Sequence, residues 1–333
     1  MSEMLGMIRT LGDQLRWARD LEVPDLAPSA EILVGGMGGS GIAGDFGAAL
    51  TANSDGRVAV HKGYSPLPGW ATRVKPAMVA ASYSGNTEET LDLVGAAAEA
   101  GLSITTITTG GRLAELSAQN GWPSVALPTG LQPRAAVGYL AGTVARLLTS
   151  FGALPDQKSA LDEAADLVDA ATVEGSETWS MASDLAKALV GRITIIYGGG
   201  PLSGTAAQRW KTQINENAKM PAWWSVLPEL DHNEIVGWET LPRITRELIG
   251  IVALTDAADH PRVRSRLDHT SALSEFAVPW LAEVPARGES ELARLLSLTV
   301  AGDLVSWMLA GEAGVDPVPV VTIEKLKKLL VKD

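Results

Sequence analysis

The chain contains no cysteine, and among its 333 residues there are only four histidines, four tyrosines and three phenylalanines. The missing thiols exclude disulfides, zinc–thiolate centres and cysteine nucleophiles, and they fit a cytoplasmic location. Basic residues are also in short supply: 27 Lys and Arg face 39 Asp and Glu, for a net charge of −12. That balance repels phosphate polymers over most of the surface, and no basic stripe interrupts it, so nucleic acid is not expected as a partner. An anionic small molecule would have to be met locally, by amide N–H groups, hydroxyls and one or two cations. No run of eighteen uninterrupted apolar residues occurs, so no membrane partner is expected. At the N-terminus Leu5, Ile8, Leu11 and Leu15 recur at helical spacing among charges, unlike a signal peptide.

What is present is a large apolar content, 46% against 20% charged, in a chain longer than one typical domain. Short apolar runs at 31–36, 77–82, 102–108 and 123–128 alternate with amphipathic stretches, the rhythm of a parallel sheet with crossover helices. A helix is predicted over about 133–150. An acidic, Ala-rich stretch from about 152 to 185 suits connecting helices, and a second strand-and-turn pattern follows in "RITIIYGGGPLSGTAAQRW", "ELIGIVALTD" and "SEFAVPW". We therefore expect an α/β fold of two domains, 1–152 and 153–333, each a mainly parallel sheet flanked by helices. The matching placement of "ILVGGMGGSGIAGD" and "ITIIYGGGPLSGTAAQ" suggests internal duplication. Near the end, Pro317 and Pro319 force an extended segment before a last short helix, which could return a residue to a site elsewhere.

Gly36, Gly38 and Gly41 satisfy a G-x-G-x-x-G pattern, which raises a dinucleotide site. The acidic residue expected about twenty positions on, to hold the ribose, is absent; "RVAVHKGY" offers His61 and Lys62, of which Lys62 would suit only a 2′-phosphate. Ser40 stands at the helix entrance, where free amides and the helix dipole favour an anion. A second hydroxyl-rich turn, "SYSGNTEET", gathers Ser82, Ser84 and Thr87, with Asn86 and Glu89 spaced as a helix cap. Either turn alone can be structural. Together, at neighbouring strand ends of an open sheet, they make a phosphate cradle without a P-loop lysine.

With these turns the first half resembles the sugar isomerase (SIS) domain. In the second half, "RWKTQINENAKMPAWW" and "LPELDHNEIVGWE" resemble the signature blocks of the bifunctional phosphoglucose/phosphomannose isomerases, a likeness that spans nearly the whole chain. The resemblance implies two SIS domains, no cofactor and no metal, and a homodimer whose site is completed by His232 across the interface. It assigns phosphate binding to Gly38, Gly39, Ser40, Ser82, Ser84 and Thr87, and catalysis to Glu216, His232, Arg134 and Lys327. Lys325 and Lys328 lie close enough in sequence to compete with Lys327. The chain departs from the family at Asp231, where an asparagine is usual and a carboxylate would place a negative charge beside His232, and at Trp223 and Trp224, which would alter the pocket wall if they line it.

The residue types suit the implied chemistry. A carboxylate such as Glu216 can carry a proton between adjacent carbons, histidine titrates where ring opening needs an acid and a base, and a fixed cation such as Arg134 stabilises developing enediolate charge. The acids Glu229, Asp231 and Glu234 around His232 lack a second histidine at ligand spacing, so no metal site is expected there. Two alternatives stay open on sequence: a phosphosugar-binding SIS regulator without catalysis, and an isomerase for another phosphosugar, including amino sugars. The first would need neither Glu216, Arg134 nor His232.

Overall fold

The computed structural model describes residues 2–330. The chain opens with two helices, α1 (Ser2–Arg9) and α2 (Leu11–Asp20), and then builds a sheet from β1 (Glu31–Gly35), β2 (Arg57–His61), β3 (Ala77–Ala81), β4 (Ile104–Thr108) and β5 (Ser124–Ala126). Their connections are α3 (Gly38–Leu50), α4 (Gly69–Val74), α5 (Glu88–Glu99) and α6 (Gly111–Asn120), and α7 (Val137–Ser150) follows β5 after a 3₁₀ turn at Pro133–Ala135. All strand pairs are parallel, in the order β2-β1-β3-β4-β5. The strands read as continuous apolar runs because both faces are covered: Ile32 and Val34 point to one side, Leu33 between them to the other.

Two helices, α8 (Lys158–Ala171) and α9 (Glu177–Leu189), lead to a second parallel sheet. Its strands are β6 (Ile193–Gly198), β7 (Ala222–Val226), β8 (Ile249–Thr255) and β9 (Trp280–Pro285), in the order β7-β6-β8-β9. Between them lie α10 (Pro201–Gln213), α11 (Pro242–Leu248) and α12 (Pro261–Ser274); α13 (Glu291–Glu312) and α14 (Val321–Leu330) close the chain. The two parallel sheets with flanking helices agree with the expected fold class. Two strands differ in detail. The run "SEFAVPW" starts at Ser274, the last residue of α12, and continues as a turn in which Ala277 and Val278 are buried, and the strand starts only at Trp280. The strand β7, in "AWWSV", was not anticipated because it is short and lies inside a block read as catalytic.

The helices between the sheets share one core. It runs without a break from Met4 and Leu15 through Ile32, Val144 and Leu161 to Trp210, Leu254 and Leu304. At its centre α13 packs against α8, α9 and α10. That helix is long and apolar enough to cross a membrane by composition, yet its apolar window is 78% buried, as expected for a helix that is hydrophobic all round inside a protein. Trp210 is fully buried, donates its indole N–H to the Leu298 carbonyl at 2.7 Å and rests on Gly302, where a Cβ would stand 2.4 Å from the ring.

Candidate functional site

In the first sheet the chain leaves β1 toward β2 on one side and later resumes at β3 on the other, so β1 and β3 flank the point where strand order reverses. Ligands of open α/β sheets bind outside the strand ends at that point. The loop after β1 delivers Met37–Ser40 there, and the loop after β3 delivers Ser82–Thr87. The two turns are stitched together: the Tyr83 amide donates to Ser40 Oγ at 3.1 Å, and Ser82 Oγ accepts the Gly85 amide at 3.1 Å while sharing a 2.9 Å hydrogen bond with Thr87 Oγ1. Gly39 has to be glycine because the segment carrying Arg134 comes so close that a Cβ would lie 2.6 Å from the Pro133 carbonyl oxygen. Gly85 sits at φ +69° with the Gly110 carbonyl where its Cβ would be.

A cavity of about 330 Å³ opens over these turns, within the range usual for small-molecule sites. Gly38, Gly39, Ser40, Ser84 and Thr87 line one part of it; Arg134, Glu216 and Lys327 line another. Eight of the ten residues singled out from sequence therefore meet in one place. Ser82 stands behind the wall as a brace. His232 is exposed, in a 3₁₀ turn at Glu229–His232, and does not line the cavity. Of the three competing lysines, Lys327 faces the cavity and Lys325 and Lys328 do not.

Glu216 is carried by a widened helical turn. α10 passes into a π-helix at Ile214–Ala218 that stops at Lys219, in the left-handed conformation. Such single π turns, with one residue more than the α-helical turn, recur at functional sites. The Glu216 carboxylate is about 30% exposed and lies 3.8 Å from Arg134 Nη1. Arg134 is nearly buried and heavily used: Nε donates to Asn217 Oδ1 at 2.8 Å, and Nη2 donates to the carbonyls of Pro317 and Val318 at 2.7 and 2.8 Å. It thereby ties the extended segment after α13 to the cavity rim and brings α14, with Lys327, over the site. Burial pulls its pKa below the ordinary arginine value, against the opposing charge of Glu216. Burial likewise lowers the Lys219 pKa, with the Arg134 charge acting in the same direction; its ammonium donates to the Glu216 carbonyl.

Behind Arg134 a polar cluster is sealed from solvent. Arg209 Nη2 donates to both Asp303 carboxylate oxygens at 2.9 Å and to the Arg134 carbonyl at 3.1 Å, while Gln213 Nε2 donates to Asp303 Oδ1 at 2.7 Å. Burial pushes the Asp303 pKa up, and Arg209 opposes it most. Neither this cluster nor the parts played by Tyr83, Gln132, Val320 and Ile323 in the wall are legible in the sequence. The i, i+4 spacing of Ile323 and Lys327 on the final helix was the one signal available for the last of these.

Three sequence expectations need correction. Asn86 and Glu89 do not cap α5: Asn86 Oδ1 accepts the Arg112 amide at 3.0 Å and Nδ2 donates to the Ser84 carbonyl, which binds two turns together, and Glu89 lies on the cavity wall. Trp223 and Trp224 are not wall residues; they lie on the edge strand β7, 56% and 39% exposed. The Asp231 carboxylate does not stand as an unmet charge beside His232, since Arg266 Nη1 and Thr270 Oγ1 donate to it at 3.0 and 2.7 Å.

The second sheet repeats the arrangement with a different outcome. Its reversal point lies between β6 and β8, and the glycine turn at 198–200 enters α10 as the first turn enters α3. Here Ser203 Oγ accepts the Gly199 and Gly200 amides at 2.8 and 2.9 Å. Asp259, from the loop after β8, fits against the turn so closely that a Cβ on Gly200 would lie 2.0 Å from its Oδ1. The Asp259 carboxylate thus packs against the glycine turn at the entrance of α10, and burial raises its pKa.

Two parallel sheets, each reversing beside a glycine turn at a helix entrance, with a hydroxyl-and-amide cradle facing a carboxylate, define a double sugar isomerase domain protein. The second half, residues 179–330, matches the bacterial phospho-glucose isomerase C-terminal SIS domain. The chain is 37% identical to the bifunctional phosphoglucose/phosphomannose isomerase of Caldicellulosiruptor bescii, over 91% of this chain and 90% of that one, and 36% identical to that of Aquifex aeolicus over essentially the full length of both. It belongs to the bifunctional phosphoglucose/phosphomannose isomerase family. In fold it is similar to the C-terminal domain of glucosamine-fructose-6-phosphate aminotransferase from Francisella tularensis, with a TM-score of 0.70 at 15% identity over 94% of this chain and 97% of that one.

Proposed function

We propose that this enzyme interconverts glucose 6-phosphate, and also mannose 6-phosphate, with fructose 6-phosphate. The observation that carries this is the meeting, in one cavity, of an anion cradle with a carboxylate and two cations. The cradle offers amides and hydroxyls to the 6-phosphate, and hydroxyl donors suit a dianion without a metal. With the phosphate held there, Glu216 takes the C2 proton of the opened aldose. The C2–H electrons form the C1–C2 double bond, O1 gains the negative charge, and Arg134 Nη1 faces that charge. Returning the proton to C1, with transfer of the O2 proton to O1, leaves the C2 carbonyl of the ketose. Glucose and mannose 6-phosphates are C2 epimers that share the enediolate, so a turn of the open chain about C2–C3, which presents the other face of C2 to Glu216, lets one carboxylate serve both.

Ring opening has to precede this step, and we assign it to Lys327 with His232. Because His232 is exposed and off the cavity wall, it is assigned to the site of a second subunit in a homodimer; the exposed apolar side chains of α14, among them Leu326 and Leu329, suit such a contact. A cytoplasmic place in glycolysis and gluconeogenesis agrees with the cysteine-free chain and the substrate class.

The test follows incorporation of solvent deuterium at C2 of glucose 6-phosphate, and fructose 6-phosphate formation, in chelator-treated buffer. Both are expected from the native protein. Glu216→Gln should retain phosphosugar binding and lose turnover by about 10²–10⁴-fold, the usual worth of a general base. Unchanged turnover in that variant refutes the base assignment, and turnover of glucosamine 6-phosphate alone refutes the substrate assignment.

A further inference from the structure

Asn217 is fully buried next to Glu216 in the π turn and does not line the cavity. Its side chain is oriented without ambiguity by its neighbours. Arginine can only donate, so the oxygen must face Arg134 Nε, at 2.8 Å. The amide nitrogen donates to Ser306 Oγ at 3.0 Å, and that hydroxyl has already directed its own proton to the Asp303 carbonyl at 2.9 Å, which leaves its oxygen as an acceptor. The polarity of the whole chain, from guanidinium through amide and hydroxyl to a main-chain carbonyl of α13, therefore runs one way.

Arg134 has few other restraints. Nη2 reaches the Pro317 and Val318 carbonyls, which fixes one corner of the planar guanidinium. A second fixed point is needed to set the direction of the remaining nitrogen, and Asn217 supplies it at Nε. We propose that Asn217 is a positioning residue for the isomerase reaction: anchored on α13 through Ser306, it fixes the guanidinium plane so that Nη1 faces Glu216 and the reacting carbons. This rests on the roles proposed above for Arg134 and Glu216. Asn217 does not line the cavity; it acts on the transition-state charge through Arg134, and its side-chain hydrogen bonds go to Arg134 and Ser306, not to the phosphate cradle.

The expected signature is a separation of kinetic constants. With fructose 6-phosphate as substrate, Asn217→Ala should lower kcat by about 10–100-fold while KM stays within about 3-fold, since a small misplacement of a catalytic group costs rate more than ground-state binding. Ser306→Ala, which removes a single oxygen and leaves the amide without its acceptor, should lower kcat by a smaller factor in the same way. Circular dichroism and thermal midpoints report the folded fraction. A purely structural role predicts a lower midpoint with kcat per folded molecule unchanged, and that result overturns the inference; if Asn217→Ala does not fold, Ser306→Ala decides by the same criterion. A native protein inactive on fructose 6-phosphate sinks the proposed function and this inference together, whereas an active native protein with an unaltered kcat in the variants sinks the inference alone.

Discussion

Two of the three guanidinium nitrogens of Arg134 are committed to the protein, and the third faces Glu216. The site therefore uses the shape of arginine as much as its charge. A lysine brings one compact point charge and cannot bridge Asn217 and two carbonyls from fixed directions. Arg134→Lys is expected to lower kcat by about 10²-fold, in the range seen when a single donor to developing negative charge is lost. It should also loosen the segment at 317–318, which limited proteolysis near the C-terminus would report. A variant of native activity and native protease resistance would show that positive charge alone suffices. At this scale Arg134, Glu216 and Lys327 are legible through motif resemblance, while Asn217 reads only as a neutral neighbour of Glu216. Its hydrogen-bond partners are 83 and 89 positions away, and nothing in local spacing encodes them.

Among the elements, those with a clear apolar pattern are legible in the sequence, including β1, β3, β4 and α7. The elements that escaped were those whose identity is set by tertiary context. The short β7 carries two exposed tryptophans, and the π turn is set by its packing against α13. The entry of α13 offers a test of a different kind. Glu163 on α8 accepts the Glu289 and Ser290 amides at this helix start, the second at 3.1 Å. Burial is the strongest single influence on its carboxyl and pushes the pKa up, but the two amides and the nearby Arg294 together bring it below the ordinary value of 4.5. A depressed folded-state pKa means that the unfolded chain takes up the proton first. The stabilisation is then complete above about pH 4.5 and is lost as pH falls through the folded-state value. Glu163→Gln should lower the thermal midpoint at neutral pH and flatten its dependence on pH in the acid range; equal slopes for the two proteins would refute this coupling.

For the whole molecule, the expected division into two sheets is present, yet no apolar boundary separates them, because α13 and its neighbours belong to one continuous core. The separate placement of Glu216 and His232 gives a test at this scale. Mixing Glu216→Gln and His232→Ala chains in equal amounts, with subunit exchange confirmed, should restore about a quarter of native activity, because half of a random population is heterodimer and each heterodimer has one intact site of two. No recovery would mean that each chain completes its own site. Two glycine turns in the sequence suggest a duplication, but their spacing does not encode that the second is already filled: Asp259 lies far from it in the chain and is brought there by the loop after β8. Titration calorimetry with fructose 6-phosphate should accordingly saturate at one ligand per chain, and two per chain would contradict the plugged second turn. In this chain Asp259 closes the second turn from within, so two glycine turns that look alike in sequence differ in access: one opens on a cavity, and the other is a permanent internal fastening between the loop after β8 and the start of α10.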